Sequence, residues 1–79
     1  MALYKYDQFV GRDLSAIFDE VHSPGQTAPR SGVYRCEGCG REASSTEGHP
    51  LPPQSHHMHT PDQGSIRWRL IVYADHRPK

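Results

Sequence analysis

The sequence is short of most of what a self-supporting domain relies on. Only 34% of its 79 residues are hydrophobic, whereas glycine and proline number seven each. A chain this small and polar is marginal on apolar burial alone, and it needs a disulfide, a metal or a partner to hold it. Its length leaves no room for a second hydrophobic core, so one domain is expected. Neither sign of charge is in excess, nine Lys and Arg standing against nine Asp and Glu. That balance removes the simplest electrostatic argument for binding nucleic acid or an anionic membrane. No apolar run approaches the roughly 18–20 residues that cross a bilayer, and no membrane role is expected. The N-terminal Met1-Ala-Leu-Tyr-Lys-Tyr-Asp7 shows no apolar signal core with a small-residue cleavage site. Cysteine is scarce, with two residues, too few for the disulfide frameworks of small secreted domains. A cytoplasmic location is therefore expected.

The two cysteines stand together in Tyr34-Arg-Cys36-Glu-Gly-Cys39-Gly40-Arg41, and everything else can be arranged around them. A C-x-x-C-G turn aims backbone N–H groups at the thiolates, while its glycine takes a backbone angle that side chains resist. Such donors stabilise the thiolate form that binds metal. Sixteen residues separate Cys39 from a histidine cluster, His56-His57-Met58-His59. Thiolate and neutral imidazole are the ligand types that tetrahedral zinc prefers, and the spacing lies within the range of two-knuckle zinc sites. Two thiolates and two imidazoles leave the ion with zero net charge, which a small core tolerates. One structural Zn²⁺ is expected. His56-x-x-His59 repeats the separation of the cysteine pair, so the expected ligands are Cys36, Cys39, His56 and His59. His57 with His59 is a second arrangement, and His49 is within reach on a stiff proline arm.

Along the chain, residues 1–30 read as an N-terminal appendage. Within it Leu14, Ile17, Phe18 and Val21 recur at helical spacing, which predicts a short helix over 13–22 with Asp13 as its cap. Pro24-Gly25 ends it, and an extended Ile17–Val21 segment is the competing reading. Ser23 to Gly32 is a loop rich in Pro and Gly. Gly32 to Cys36 predicts a strand, and Arg41 to Thr46 its hairpin return. His49-Pro-Leu-Pro-Pro53 lacks too many backbone donors for a central strand, and it reads as a stiff extended segment delivering the histidines. Pro61 to Gly64 is a turn. Ser65 to Ala74 is the clearest strand, with Ile66, Trp68, Leu70 and Val72 on one face. The core thus spans 31–74, and 75–79 is a polar tail expected to fray.

A redox C-x-x-C works at a helix N-terminus, whereas the residues after Cys39 do not read as a helix. Trp68 between Arg67 and Arg69 could stack on bases, but alternating with Ile66 and Leu70 it reads as core. The apolar face of the 13–22 segment is a core contact or, alternatively, a partner-binding face.

From Ser31 to Val72 the chain resembles a zinc ribbon with a rubredoxin-like knuckle: strand, C-x-x-C-G, hairpin return, second ligand pair and closing strand. The runs Ser31-Gly-Val-Tyr-Arg-Cys-Glu-Gly-Cys-Gly40 and Gly48-His-Pro-Leu-Pro-Pro53 also resemble small uncharacterised bacterial zinc-ribbon proteins. In many of those a Pro-Pro pair leads directly into a second cysteine pair. Gln54 and His57 occupy those two positions here, and a shift of two residues restores the spacing at His56 and His59. The resemblance implies a small, mainly-β fold, a metal-stabilised antiparallel sheet of zinc-ribbon or rubredoxin-like type with a short N-terminal helix. Electron transfer is not expected, because rubredoxins hold iron with four cysteines.

Fold does not give function in such modules. The expected role is a structural zinc-binding module that contacts a protein. The alternative is nucleic-acid binding through Arg35, Arg41, Arg67 and Arg69, against which Glu37, Glu42, Glu47 and Asp62 count. An enzyme with an open zinc would need three protein ligands, a bound water and a general base such as Glu37 or Glu42. No catalysis is expected.

Overall fold

The computed structural model describes residues 2–74, the side chain of Ser55 excepted. The polar tail lies outside the described residues. The chain forms one four-stranded antiparallel sheet from β1 (Val21–His22), β2 (Gly32–Cys36), β3 (Glu42–Ser45) and β4 (Trp68–Tyr73), in the order β1-β4-β2-β3. The fold is thus mainly β, as the alternating and proline-framed segments suggest.

β2 and β3 form the expected hairpin around the cysteine turn, with Val33 opposite Ser44 and Arg35 opposite Glu42. The turn closes through the Cys36 N–H to the Arg41 carbonyl at 2.7 Å and the Gly40 N–H to the Cys36 carbonyl at 2.8 Å. Gly40 takes φ 82°, the left-handed angle that its place in the motif predicts. β4 lies between β1 and β2 and carries most of the apolar core, with Trp68 and Leu70 buried together with Ile66 just before it. Tyr34 and Cys36 of β2, Leu51 and Ala28 complete that core, and Ile17, Phe18 and Ala43 pack on its rim. Val72, expected on the same face, is 38% exposed. Val33 pairs with Val72 but Tyr34 pairs with Leu70, so Ile71 is an extra residue on β4. Such a bulge breaks the strict alternation and turns the end of the strand away from the core.

The proline segment behaves as expected for a stiff extended strap. The Ala28 N–H donates to the His49 carbonyl and the Leu51 N–H to the Gln26 carbonyl, both at 2.8 Å. Leu51 is buried, and the indole N–H of Trp68 donates to the Pro52 carbonyl at 3.1 Å. The strap is thereby tied both to the loop before β2 and to the core.

The helix expected over 13–22 does not form. Among the described residues there is no α-helix, only single 3-10 turns at Asp7–Phe9, Ala16–Asp19, Gln54–His56 and Pro61–Gln63. Asp13 caps nothing helical; its Oδ1 accepts from the Ser15 N–H at 2.8 Å, and Ser15 precedes the turn. Leu14 and Val21, half of the expected apolar face, are 82% and 52% exposed. The reason is competition for one carbonyl. In an α-helix the Phe18 carbonyl would accept from the His22 N–H. Here it accepts from the Arg69 Nε at 2.7 Å, while Val21 and His22 pair with Arg69 and Trp68 along the edge of β4. A helix of two and a half turns is too weak to resist such an edge. The N-terminal segment consequently contributes a strand to the same sheet as residues 32–73.

Candidate metal centre

Cys36 ends β2 with its side chain fully buried, and Cys39 sits exposed in the turn. Gly38 between them has no room for a side chain. A Cβ there would lie 2.7 Å from His59 Cε1 and 2.7 Å from the Gln63 carbonyl oxygen. The glycine therefore lets the knuckle close onto the histidine loop.

That loop leaves the Gln54–His56 turn at His57, whose φ of −155° and ψ of 164° are extended. Extended backbone sends successive side chains to opposite sides, so residues two apart share a side. His57 and His59 accordingly face the cysteines, and Met58 between them is 93% exposed. The Cys36 and Cys39 sulfurs and one ring nitrogen from each of His57 and His59 all lie within 4.8 Å of one another. Cys36 Sγ is 3.4 Å from His59 Nε2, Cys39 Sγ is 3.1 Å from His57 Nε2, and the two Nε2 atoms are 3.0 Å apart. Tetrahedral zinc with ordinary Zn–S and Zn–N bonds places neighbouring donors about 3.3–3.8 Å apart. The 3.4 Å separation falls in that range, the 3.1 Å and 3.0 Å separations lie a few tenths of an ångström below it, and the whole set stays within 4.8 Å, so the four donors could hold one metal ion.

The surroundings favour the metal-binding form of Cys36 and of His57. Burial pushes the Cys36 thiol up, but the N–H groups of Arg67, Gly38 and Cys39 outweigh it and hold the pKa below its ordinary value. Burial lowers the pKa of His57, and the nearby His59, His56 and Arg41 lower it further, so its imidazole stays neutral. His59 is oriented through its other nitrogen, Nδ1, 2.8 Å from the Gly64 carbonyl oxygen. An N–H there leaves the Nε2 lone pair for a metal. Gly64 is held in turn by the Pro61–Gln63 turn, in which the Thr60 N–H donates to Gln63 Oε1 at 2.8 Å.

Three of the residues singled out from the sequence, Cys36, Cys39 and His59, are brought together. The fourth place in the group is taken by His57 and not by His56, which the equal spacing favours. His56 belongs to the 3-10 turn, and its Nδ1 lies 2.8 Å from His57 Nδ1, on the far side of that ring from the sulfurs. His49 also stays out of the group. Equal separation in sequence is a poor guide here, because a knuckle and an extended loop deliver side chains with different periods. The Pro52-Pro53 register points to positions 54 and 57 and the equal-spacing register to 56 and 59, so each meets the group at one position, and the group contains the second arrangement, His57 with His59. The parts played by Gly38 and the Gly64 carbonyl had no sequence signal beyond the glycines themselves.

Glu37, nominated as a general base, accepts from Arg69 at 3.1 Å. Arg69 also reaches Asp19 at 3.3 Å, so two carboxylates offset one of the four arginines nominated for nucleic acid.

The chain is 48% identical over 54 residues to Protein L of Escherichia coli, an alignment covering 68% of this chain and 61% of that protein. It is 55% identical over 31 residues to Uncharacterized protein Rv1954A of Mycobacterium tuberculosis, covering 39% of this chain and 31% of the relative. The chain thus spans less than two thirds of the length of these curated relatives. No protein-family model matches, and no solved structure matches.

Proposed function

We propose that this chain is a small module folded around one structural zinc, held by Cys36, Cys39, His57 and His59, and that it works by contact with a protein. The observation that carries the metal reading is the convergence of two sulfurs and two imidazole nitrogens within 4.8 Å on a chain with few other means of holding itself together. The zinc-ribbon reading rests on the knuckle, the hairpin and the closing strand. Four protein donors favour a closed shell, in which no position remains for water or substrate. That supports a structural role over catalysis. Nucleic-acid binding is the second reading, and the ion pairs of Arg69 count against it.

Metal analysis of natively purified protein, followed by cobalt substitution, tests the proposal. One equivalent of zinc and a four-coordinate S₂N₂ cobalt spectrum indifferent to azide support it. A five-coordinate spectrum, or one that shifts with added anion, overturns the closed site and brings the enzyme reading forward. Removal by a strong chelator should collapse chemical-shift dispersion across residues 33–72, because structural zinc contributes roughly 10–16 kcal/mol in finger-sized peptides. Native dispersion in metal-free protein would remove the structural role.

A further inference from the structure

The contact between His56 and His57 has a use that neither ligand geometry nor core packing requires. An imidazole that binds metal through one nitrogen carries its proton on the other, and that N–H needs an acceptor to fix the ring. For His59 the acceptor is the Gly64 carbonyl. His57 is buried, and the partner of its Nδ1 is His56 Nδ1 at 2.8 Å.

Two nitrogens at that distance share one proton. His57 Nε2 lies among the other donors, 3.1 Å from Cys39 Sγ and 3.0 Å from His59 Nε2, so it must keep its lone pair if it is to bind the ion. The proton of His57 then sits on Nδ1 and is donated to His56 Nδ1. His56 in turn carries its own proton on Nε2, and its exposed ring can offer that proton to water. The two rings stand nearly perpendicular, at 84°, and both meet Trp68 edge-on with centroids 5.6 Å and 5.9 Å from the indole. Trp68 is fully buried and anchored through its N–H to the Pro52 carbonyl, so the pair rests on a fixed wall.

From this arrangement we infer that His56 is a positioning residue for the metal centre: it accepts the Nδ1 proton of His57, selecting the tautomer and ring angle that present Nε2 to the ion. The inference rests on the zinc reading above and adds to it. It also accounts for adjacent histidines of which only one joins the donor group.

The test is zinc affinity of the full chain by competition with a chromophoric chelator, together with the cobalt spectrum of each variant. His56→Ala should weaken zinc by about 10–100-fold while the S₂N₂ cobalt bands remain. His56→Asn, whose Oδ1 can stand in for the Nδ1 acceptor, should recover most of the loss, which a merely space-filling role would not predict. In zinc-loaded protein, imidazole ¹⁵N shifts of His57 should report a protonated Nδ1 and a metal-bound Nε2. Unchanged affinity in His56→Ala overturns the positioning role and leaves the zinc reading standing. Loss of a nitrogen ligand from its cobalt spectrum makes His56 a ligand, which also overturns the inference. Full zinc affinity in His57→Ala, or no zinc binding by the wild-type chain, overturns the proposed site and this inference with it.

Discussion

Arg69, on the central strand β4, donates from Nε to the carbonyl oxygen of Phe18 at 2.7 Å, across 51 positions of sequence. The same guanidinium bonds Glu37 beside the knuckle and Asp19 at the end of the N-terminal turn. One side chain thus ties the N-terminal segment, the sheet and the cysteine turn together. The two ion pairs are partly exposed and contribute little; the bond to the carbonyl is the stronger part.

Arg69→Ala should therefore lower the stability of the zinc-loaded protein by about 1–3 kcal/mol, and amide exchange at Val21 and His22 should speed up first. Arg69→Lys should not restore it, since an ammonium cannot reproduce the guanidinium fork. Unaltered exchange at His22 in Arg69→Ala would mean that β1 is held without this bond.

Ligand substitutions separate the two histidine registers. Cys36→Ser, Cys39→Ser, His57→Ala and His59→Ala should each abolish stoichiometric zinc binding or weaken it by orders of magnitude. His49→Ala should not. Zinc content by atomic emission after gel filtration reads the result, and retention of tight zinc in His57→Ala would favour the His56-x-x-His59 register.

Gly38→Ala should damage the site without touching a ligand. Its methyl would meet His59 and the Gln63 carbonyl at 2.7 Å, so the knuckle and the histidine loop must separate. Weaker zinc binding and an altered cobalt spectrum are expected. Gly48→Ala is the control: its φ of 86° strains a side chain, but nothing lies within 4 Å. It should cost about 1–2 kcal/mol and leave the cobalt spectrum unchanged.

Acid should destabilise the protein through two groups acting in the same direction. Folding lowers the pKa of His57, so its contribution is complete above the ordinary value of 6.5 and is lost as pH falls from there through the folded value. Folding also lowers the pKa of Cys36 from the ordinary 9.0, and that contribution likewise disappears as pH falls through the folded value. Proton competition for the metal ligands adds to both. Denaturation midpoints should thus decrease steadily from about pH 8 to about pH 5. A midpoint that rises toward acid would contradict neutral His57 and the thiolate form of Cys36.

What could be read from the sequence was what neighbouring residues decide among themselves. The Cys36-Glu-Gly-Cys39-Gly40 turn needs only short backbone bonds and one glycine at φ 82°, and it forms where the motif placed it. The alternation of Ile66, Trp68 and Leu70 specifies a strand with one buried face, and it does so here. The prolines of 49–53 exclude helix and central strand by themselves. Tertiary structure decided the rest. The Leu14–Val21 pattern satisfies helical periodicity, yet a guanidinium and a strand edge from the far end of the chain take the groups that a helix would have used. The choice between His56 and His57 turned on where the Gln54–His56 turn stops and extended backbone begins, because extended backbone sends alternate residues to the same side. Spacing counts residues along the chain. A metal site depends on the direction in which each side chain leaves the backbone, and that is set only when the loop packs against Trp68 and the Gly38 knuckle.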